Sequence, residues 1–218
     1  MDAPRILIGC ESSGKVREAF RRRGFDAWSC DLLPADDASP HHYQMDMCDV
    51  VGLGWDALIA HPPCTYLCSS GLHWNKRVPG RDTLTEEALD FVRWIMALPI
   101  RHKAIENPIG CISTRIRKPD QIIHPWMFGD DASKATCLWL EGLPTLVPTD
   151  VVEGRLVNGM RRWANQTDSG QNKLPPSADR WKLRSETYAG IADAMADQWA
   201  PWIDAHVLGV QDIVYGVT

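Results

Sequence analysis

The chain is 218 residues long, 44% apolar and 23% charged, a balance that supports one packed domain and excludes a disordered, collagen-like or coiled-coil chain. Asp and Glu number 28 against 23 Lys and Arg, a net charge of −5 with His neutral. Such a chain does not coat nucleic acid over its whole surface, and a local basic cleft is the way left to hold it.

Taken in chain order, Arg5-Ile6-Leu7-Ile8 is a short apolar run suited to a buried strand. Gly9-Cys10-Glu11-Ser12-Ser13-Gly14 is a small-residue turn, and Lys15 to Arg23 reads as a helix with Val16, Ala19 and Phe20 on one face, stopped by Gly24. Phe25 to Cys30 reads as a second strand ending at Asp31. Trp55 to Ala60 reads as another, stopped by His61-Pro62-Pro63 because proline cannot continue a ladder. Leu84 to Leu98 is the clearest helix: Thr83 and Glu86 have capping-box spacing, and Leu84, Ala88, Phe91, Val92, Ile95 and Met96 form the apolar stripe. Lys103-Ala104-Ile105 is a short strand delivering Glu106-Asn107-Pro108, and Cys137 to Leu140 a late strand. Glu141 to Pro176 is Gly-, Pro- and Asn-rich and reads as long loops with room for a hairpin. Glu186 to Trp199 is a second helix, with Tyr188, Ile191, Met195 and Trp199 on one side.

This alternation predicts an α/β fold, a mostly parallel sheet with helices on both faces, in one domain spanning 1–218 with a loop-rich insertion at 141–183. In such sheets ligands collect beyond the carboxyl ends of the strands, where Glu11, Asp31, Cys64 and Glu106 fall. The glycine turn lacks the Walker ending and the full dinucleotide fingerprint, so it suits a nucleoside-bearing cofactor without a pyrophosphate. Asp31 is then the acceptor for ribose hydroxyls.

Pro62-Pro63-Cys64-Thr65-Tyr66-Leu67-Cys68-Ser69 resembles the Pro-Pro-Cys catalytic loop of cytosine-C5 DNA methyltransferases, and Glu106-Asn107-Pro108 resembles their Glu-Asn-Val segment. Ile8 to Gly14 with Phe20 is similar to their cofactor turn, Asp31 and Asp46 to the acidic residues after the second and third strands, and Arg115-Ile116-Arg117 to their Arg-x-Arg pair, with Ser113 where the family usually has Gln. The resemblance runs in order from residue 5 to residue 118 and is nearest to the short forms encoded by phages and prophages. It implies a Rossmann-like methyltransferase fold using S-adenosyl-L-methionine held by Gly9, Cys10, Glu11, Ser12, Gly14, Asp31, Asp46 and Pro62. It also implies a host-cytoplasmic location. The family's target-recognition domain and late Gly-Asn motif have no counterpart here; Arg184 to Trp199 stands in the latter's place.

The resemblance assigns Cys64 as the nucleophile that adds to cytosine C6, which needs a lowered thiol pKa or a base acting in concert. Glu106 donates to N3 as a carboxylic acid, its pKa raised by burial. Arg115 and Arg117 bind the phosphate or base carbonyl, and Asn107 shapes the Cys64 loop. Ser69 and Ser70 follow that loop as substrate-side residues. From 155 to 184 basic residues are interleaved with Trp163 and Trp181, and Arg161, Arg162, Trp163 and Lys173 are the candidates for phosphate contact and base stacking.

Seven scattered cysteines suit reduced thiols better than a disulfide framework. Cys64, Cys68 and His73 have metal-like spacing without a fourth ligand, so no metal is expected. No window approaches the ~20 apolar residues of a membrane helix, and no membrane partner is expected. The leading expectation is methyl transfer to cytosine C5 in DNA. Its rivals are the same chemistry on a free cytidine nucleotide or with a modified donor, and a nucleic-acid-binding decoy with weak catalysis. A thiol hydrolase or redox protein is the weaker alternative, with His61 and His73 as the only histidines near Cys64 in sequence. A separate recognition partner or self-association fits the missing recognition domain.

Overall fold

The computed structural model describes residues 3–177, 180, 184 and 186–207. The strands are β1 (Arg5–Gly9), β2 (Asp26–Asp31), β3 (His42–Gln44), β4 (Ala57–Ala60), β5 (His102–Pro108), β6 (Gln121–Ile123), β7 (Thr136–Glu141), β8 (Arg155–Val157) and β9 (Met160–Arg162). The helices are α1 (Lys15–Arg21), α2 (Met47–Val50), α3 (Ser69–Leu72), α4 (Arg81–Ala97), α5 (Ile112–Arg115) and α6 (Ala189–Val207).

A seven-stranded sheet runs in the order β3-β2-β1-β4-β5-β7-β6. Neighbours from β3 to β5 are parallel, and β7 runs antiparallel to both β5 and β6. Side chains alternate between its faces. Ile6 and Ile8 join Val16, Phe20, Ile191, Met195 and Trp199 under α1 and α6. Leu7 and Leu58 point the other way, to Leu89, Val92, Ile95 and Trp139 beside α4. Helices on both faces bury the strands from both sides, and β4 is accordingly apolar throughout, Ala57-Leu58-Ile59-Ala60.

Two helix boundaries differ from the sequence expectation. α4 begins at Arg81 behind Gly80, so Thr83 lies inside the first turn and caps nothing. Its fully buried line is Leu89, Val92 and Ile95, while Leu84 is exposed, because the face that meets the sheet is rotated toward Thr85. The last helix starts at Ala189 and continues beyond Trp199 through Pro201. Four short strands, β3, β6 and the two of the β8–β9 hairpin, gain their order from pairing more than from their own apolar pattern; Asn158-Gly159 turns the hairpin.

Candidate active site

The carboxyl ends of β1, β2, β4 and β5 form one edge. Parallel register sets Gly9 beside Cys30 and Ala60, and Ala60 beside Ile105. The residues that follow therefore emerge side by side: Glu11, Asp31, His61 and Glu106.

On the β1–β2 side, Gly14 closes the turn at φ +69°, where a Cβ would strike the Arg17 guanidinium. Arg17 is fully buried; it donates to Ser29 Oγ at 2.7 Å and pairs with Glu18 and Asp37. Together with the Asp36 amide on the Ser12 carbonyl at 2.9 Å, this fastens the loop after β2 over the turn. Glu11 is 5% exposed and accepts from the Val16 and Arg17 amides, so its carboxylate is turned inward and caps α1. Asp31 accepts from the Leu33 amide and Asp46 from the Cys48 amide. That amide contact, with the Cys48 thiol, holds the Asp46 carboxyl below its ordinary range. Burial, and next the charge of Asp31, pushes the Cys10 thiol up to about 12, with Asp46 adding to the effect. The two acids thus lie around Cys10.

These residues fit S-adenosylmethionine. Exposed Leu32, Leu33 and Met45 offer apolar surface beside Asp31, suited to a purine face, and the surrounding carboxylates suit ribose hydroxyls and a sulfonium charge. Gly9, Cys10, Ser12, Gly14, Asp31, Asp46 and Pro62 would hold it, with Glu11 acting through the turn's shape.

On the β4–β5 side, Glu106 is 8% exposed, and His61 Nδ1 lies 2.9 Å from its Oε2. Burial pushes the Glu106 carboxyl up, but the His61 hydrogen bond, the Lys134 charge and Thr136 outweigh it and hold the group below the ordinary carboxylate range. This corrects the expectation of a raised Glu106 pKa: in the free protein it is a carboxylate. Asn107 Nδ2 donates to the Pro62 carbonyl at 2.7 Å, tying β5 to the Pro-Pro-Cys loop.

Cys64 and Cys68 are one helical turn apart, the Cys68 amide on the Cys64 carbonyl at 2.9 Å. The hydrogen bond between the thiols raises Cys64, and burial and the charges of Cys68 and Glu106 add to this. The same bond lowers Cys68 to about 5 against burial, helped by Ser70, the Gly71 amide and Arg184. Cys64 is therefore the protonated partner of the pair. The Cys64 thiol lies within electrostatic reach of both Glu106 and Lys134.

The other candidates are arranged differently. Arg115 pairs with Glu86 at 2.7 Å, and Arg117 with Asp120 at 2.8 Å, both about half exposed. Their charges are committed to nearer acids rather than to the Cys64–Glu106 group; exposed pairs of this kind are worth only ~0–1 kcal/mol and release readily. Arg161 pairs with Glu153, and Arg162 donates to the Asp168 carbonyl at 3.1 Å. Trp163 stacks on Trp126 at 5.4 Å and donates to the Val152 carbonyl; its ring is a support for the hairpin and not an open platform. The Lys173 amide bonds the Asn165 carbonyl while its side chain is exposed. Ser69 and Ser70 are exposed, and Ser70 Oγ lies 3.2 Å from Cys68 Sγ. Trp181 lies outside the described residues.

Glu106, Lys134, Thr136, Thr187, Tyr188 and Ile191 line a crevice of about 10 Å³, the space of about one water. A cleft of about 240 Å³ lies between Gly14, Lys15 and Arg22 on one side and Ala189 and Ala192 on the other. Sequence reasoning passed over Lys134 and Thr136, which sit in no motif, and read Tyr188 only as part of the last helix and the segment leading into it. His61 had one signal, its place directly after a strand. Among the described residues no cluster of three or more Cys, His, Asp or Glu could hold a metal, and no helix is long and apolar enough to cross a membrane.

The strand order, with five neighbouring strands parallel and β7 antiparallel, makes this a Rossmann-like sheet. The chain matches no protein-family model and no curated protein. Among solved structures it is similar to the Entamoeba histolytica methyltransferase EhMeth, with a TM-score of 0.48 and 15% identity over 70% of this chain and 58% of that one. It therefore spans less than two thirds of that protein.

Proposed function

We propose that this chain transfers a methyl group from S-adenosylmethionine to C5 of a cytosine in DNA, through a covalent bond from Cys64 to C6. The observation that carries this reading is the grouping of Cys64 with Glu106 and Lys134 beyond adjacent parallel strands, next to the Gly9–Gly14 turn.

The Cys68 thiolate takes the proton of Cys64 as the Cys64 sulfur bonds to C6. Glu106, protonated for the step, gives its proton to N3, so the ring electrons displaced by the sulfur end at C5 without net charge on the ring. Lys134 offsets the negative charge left on Glu106. The bound donor supplies the electrophilic methyl group. Loss of the C5 proton to water then returns electrons to the ring, the Cys64–C6 bond breaks, the departing Cys64 sulfur takes its proton back from the Cys68 thiol, and N3 returns its proton to Glu106.

A free cytidine nucleotide or an unpaired cytosine is the second reading for the substrate. It is favoured by the self-paired Arg161 and Arg162 and the stacked Trp163, which leave little prepared surface for a duplex. A duplex would also require flipping of the base.

The test is incubation with labelled S-adenosylmethionine and, separately, duplex DNA, single-stranded DNA and dCMP. Label at C5 of DNA, abolished by Cys64→Ala and reduced by orders of magnitude in Glu106→Gln with donor binding intact, is expected. Label on dCMP alone moves the substrate to the second reading. Donor binding without transfer points to a modified donor or a decoy, and unchanged transfer in Cys64→Ala overturns the chemistry.

A further inference from the structure

We propose that His61 is the proton source for Glu106, a positioning residue that lets this acid donate to the base. The inference rests on the cytosine reading above. The chemistry asks for a carboxylic acid at Glu106, yet its surroundings favour the carboxylate; a proton must be delivered to it.

One neighbouring group, His61, is held in place for delivery. The His61 amide bonds the Gly9 carbonyl at 2.9 Å, fixing the residue at the junction of β1, β4 and β5. Its Nδ1 is 2.9 Å from Glu106 Oε2, and the two side chains are 10% and 9% exposed. Nε2 is buried with no hydrogen-bond partner among the described residues. A neutral ring bound only through Nδ1–H leaves an acceptor unsatisfied, and a charged ring leaves a donor unsatisfied; the charges around it decide which costs less. Glu106 faces the ring from β5. Glu11, behind β1, has its carboxyl pushed up by burial, with His61 and the Val16 and Arg17 amides acting against that rise. Lys134 stands beyond Glu106, Arg17 beyond Glu11, and Cys64 belongs to the same loop as His61. Of these groups Glu106 is the one in direct hydrogen-bond contact with the ring.

In the step, the Nδ1–H bond of His61 breaks and an O–H bond forms on Glu106 Oε2. That proton passes to N3 as Cys64 adds to C6, leaving neutral His61 beside the Glu106 carboxylate. On elimination N3 returns the proton to Glu106, and Glu106 to Nδ1. No proton is gained or lost by the pair over a cycle.

The experiment compares wild type with His61→Asn, whose amide can still donate to Glu106 but cannot carry a mobile proton. Donor binding is expected to survive, kcat to fall roughly 10²–10⁴-fold, and the alkaline limb of the kcat–pH profile to move to lower pH, because Glu106 must then hold the proton alone. An unchanged rate and profile overturns the proposal. A readout independent of transfer is ¹⁵N NMR titration of His61 in wild type and Glu106→Gln. Loss of the carboxylate is expected to move the ring's titration to lower pH, and an unmoved titration overturns the pairing. If wild type methylates no cytosine substrate, the parent reading fails, while the NMR result still tests the His61–Glu106 proton couple.

Discussion

Cys64 and Cys68 share a hydrogen bond, and only one of the two gives up its proton readily. The hydrogen bond lowers Cys68 to about 5 and raises Cys64. Thiolates, not thiols, are alkylated, so iodoacetamide at mildly acidic pH is expected to label Cys68 well ahead of Cys64. In Cys68→Ser the largest cause raising Cys64 is gone, and Cys64 is expected to react at lower pH than in wild type. Peptide mapping by mass spectrometry reads both; equal labelling of the two thiols in wild type would rule the pairing out. The sequence singled out Cys64 through the Pro-Pro-Cys loop, but Cys68 entered only as a metal candidate. Spacing four apart is compatible with either role, and only the helical turn that joins their backbones brings the sulfurs together. Glu106 is a parallel case: its position was legible, whereas the sign of its pKa shift depends on His61 and Lys134, which arrive from other segments.

The loop that carries both thiols is docked on the segment after β5. Cys68 bridges Gly110, the Ser69 amide bonds the Ile109 carbonyl at 3.0 Å, and the Cys111 amide bonds the Leu67 carbonyl at 2.8 Å. A Cβ at Gly110 would lie 1.9 Å from the Leu67 carbonyl oxygen and 2.8 Å from Cys68 Cα. Both are backbone atoms, so the loops must separate. Gly110→Ala is expected to cost about 1–3 kcal/mol, seen as a lower Tm. It should also disturb the Cys64–Cys68 pair, so that Cys68 loses its preference in alkylation. Wild-type melting and labelling would show that the close approach is dispensable. The role of Gly110 was not legible from sequence, since one glycine two residues past Glu106-Asn107-Pro108 reads as an ordinary turn. The hairpin region behaved similarly. Its basic and aromatic composition suggested a nucleic-acid face, but Arg161, Arg162 and Trp163 are spent on holding the hairpin to itself and to Trp126.

At the scale of the molecule, α6 brings the far end of the chain against α1 and the β1 face. Trp199 is fully buried and donates to the Pro144 carbonyl at 2.9 Å. Trp199→Ala removes a large side chain from a close-packed site and is expected to destabilise the fold by roughly 3–5 kcal/mol. Urea denaturation measures it, and a loss under about 1 kcal/mol would mean that α6 is not part of the cooperative unit. The exposed pairs Arg22–Asp193 and Arg23–Asp197 along the same contact add little by comparison.

The sequence alone determined the alternation of strands and helices and the polar residues at strand ends, because apolar runs and proline stops are local properties. It also supplied the ordered Pro-Pro-Cys and Glu-Asn segments. Tertiary structure alone decided which charges face one another: that Arg115 and Arg117 answer Glu86 and Asp120, that Lys134 and His61 meet Glu106, and that Cys64 keeps its proton beside Cys68. Electrostatic and hydrogen-bonding partners depend on distance in space, which strand register and loop docking set and residue spacing does not record.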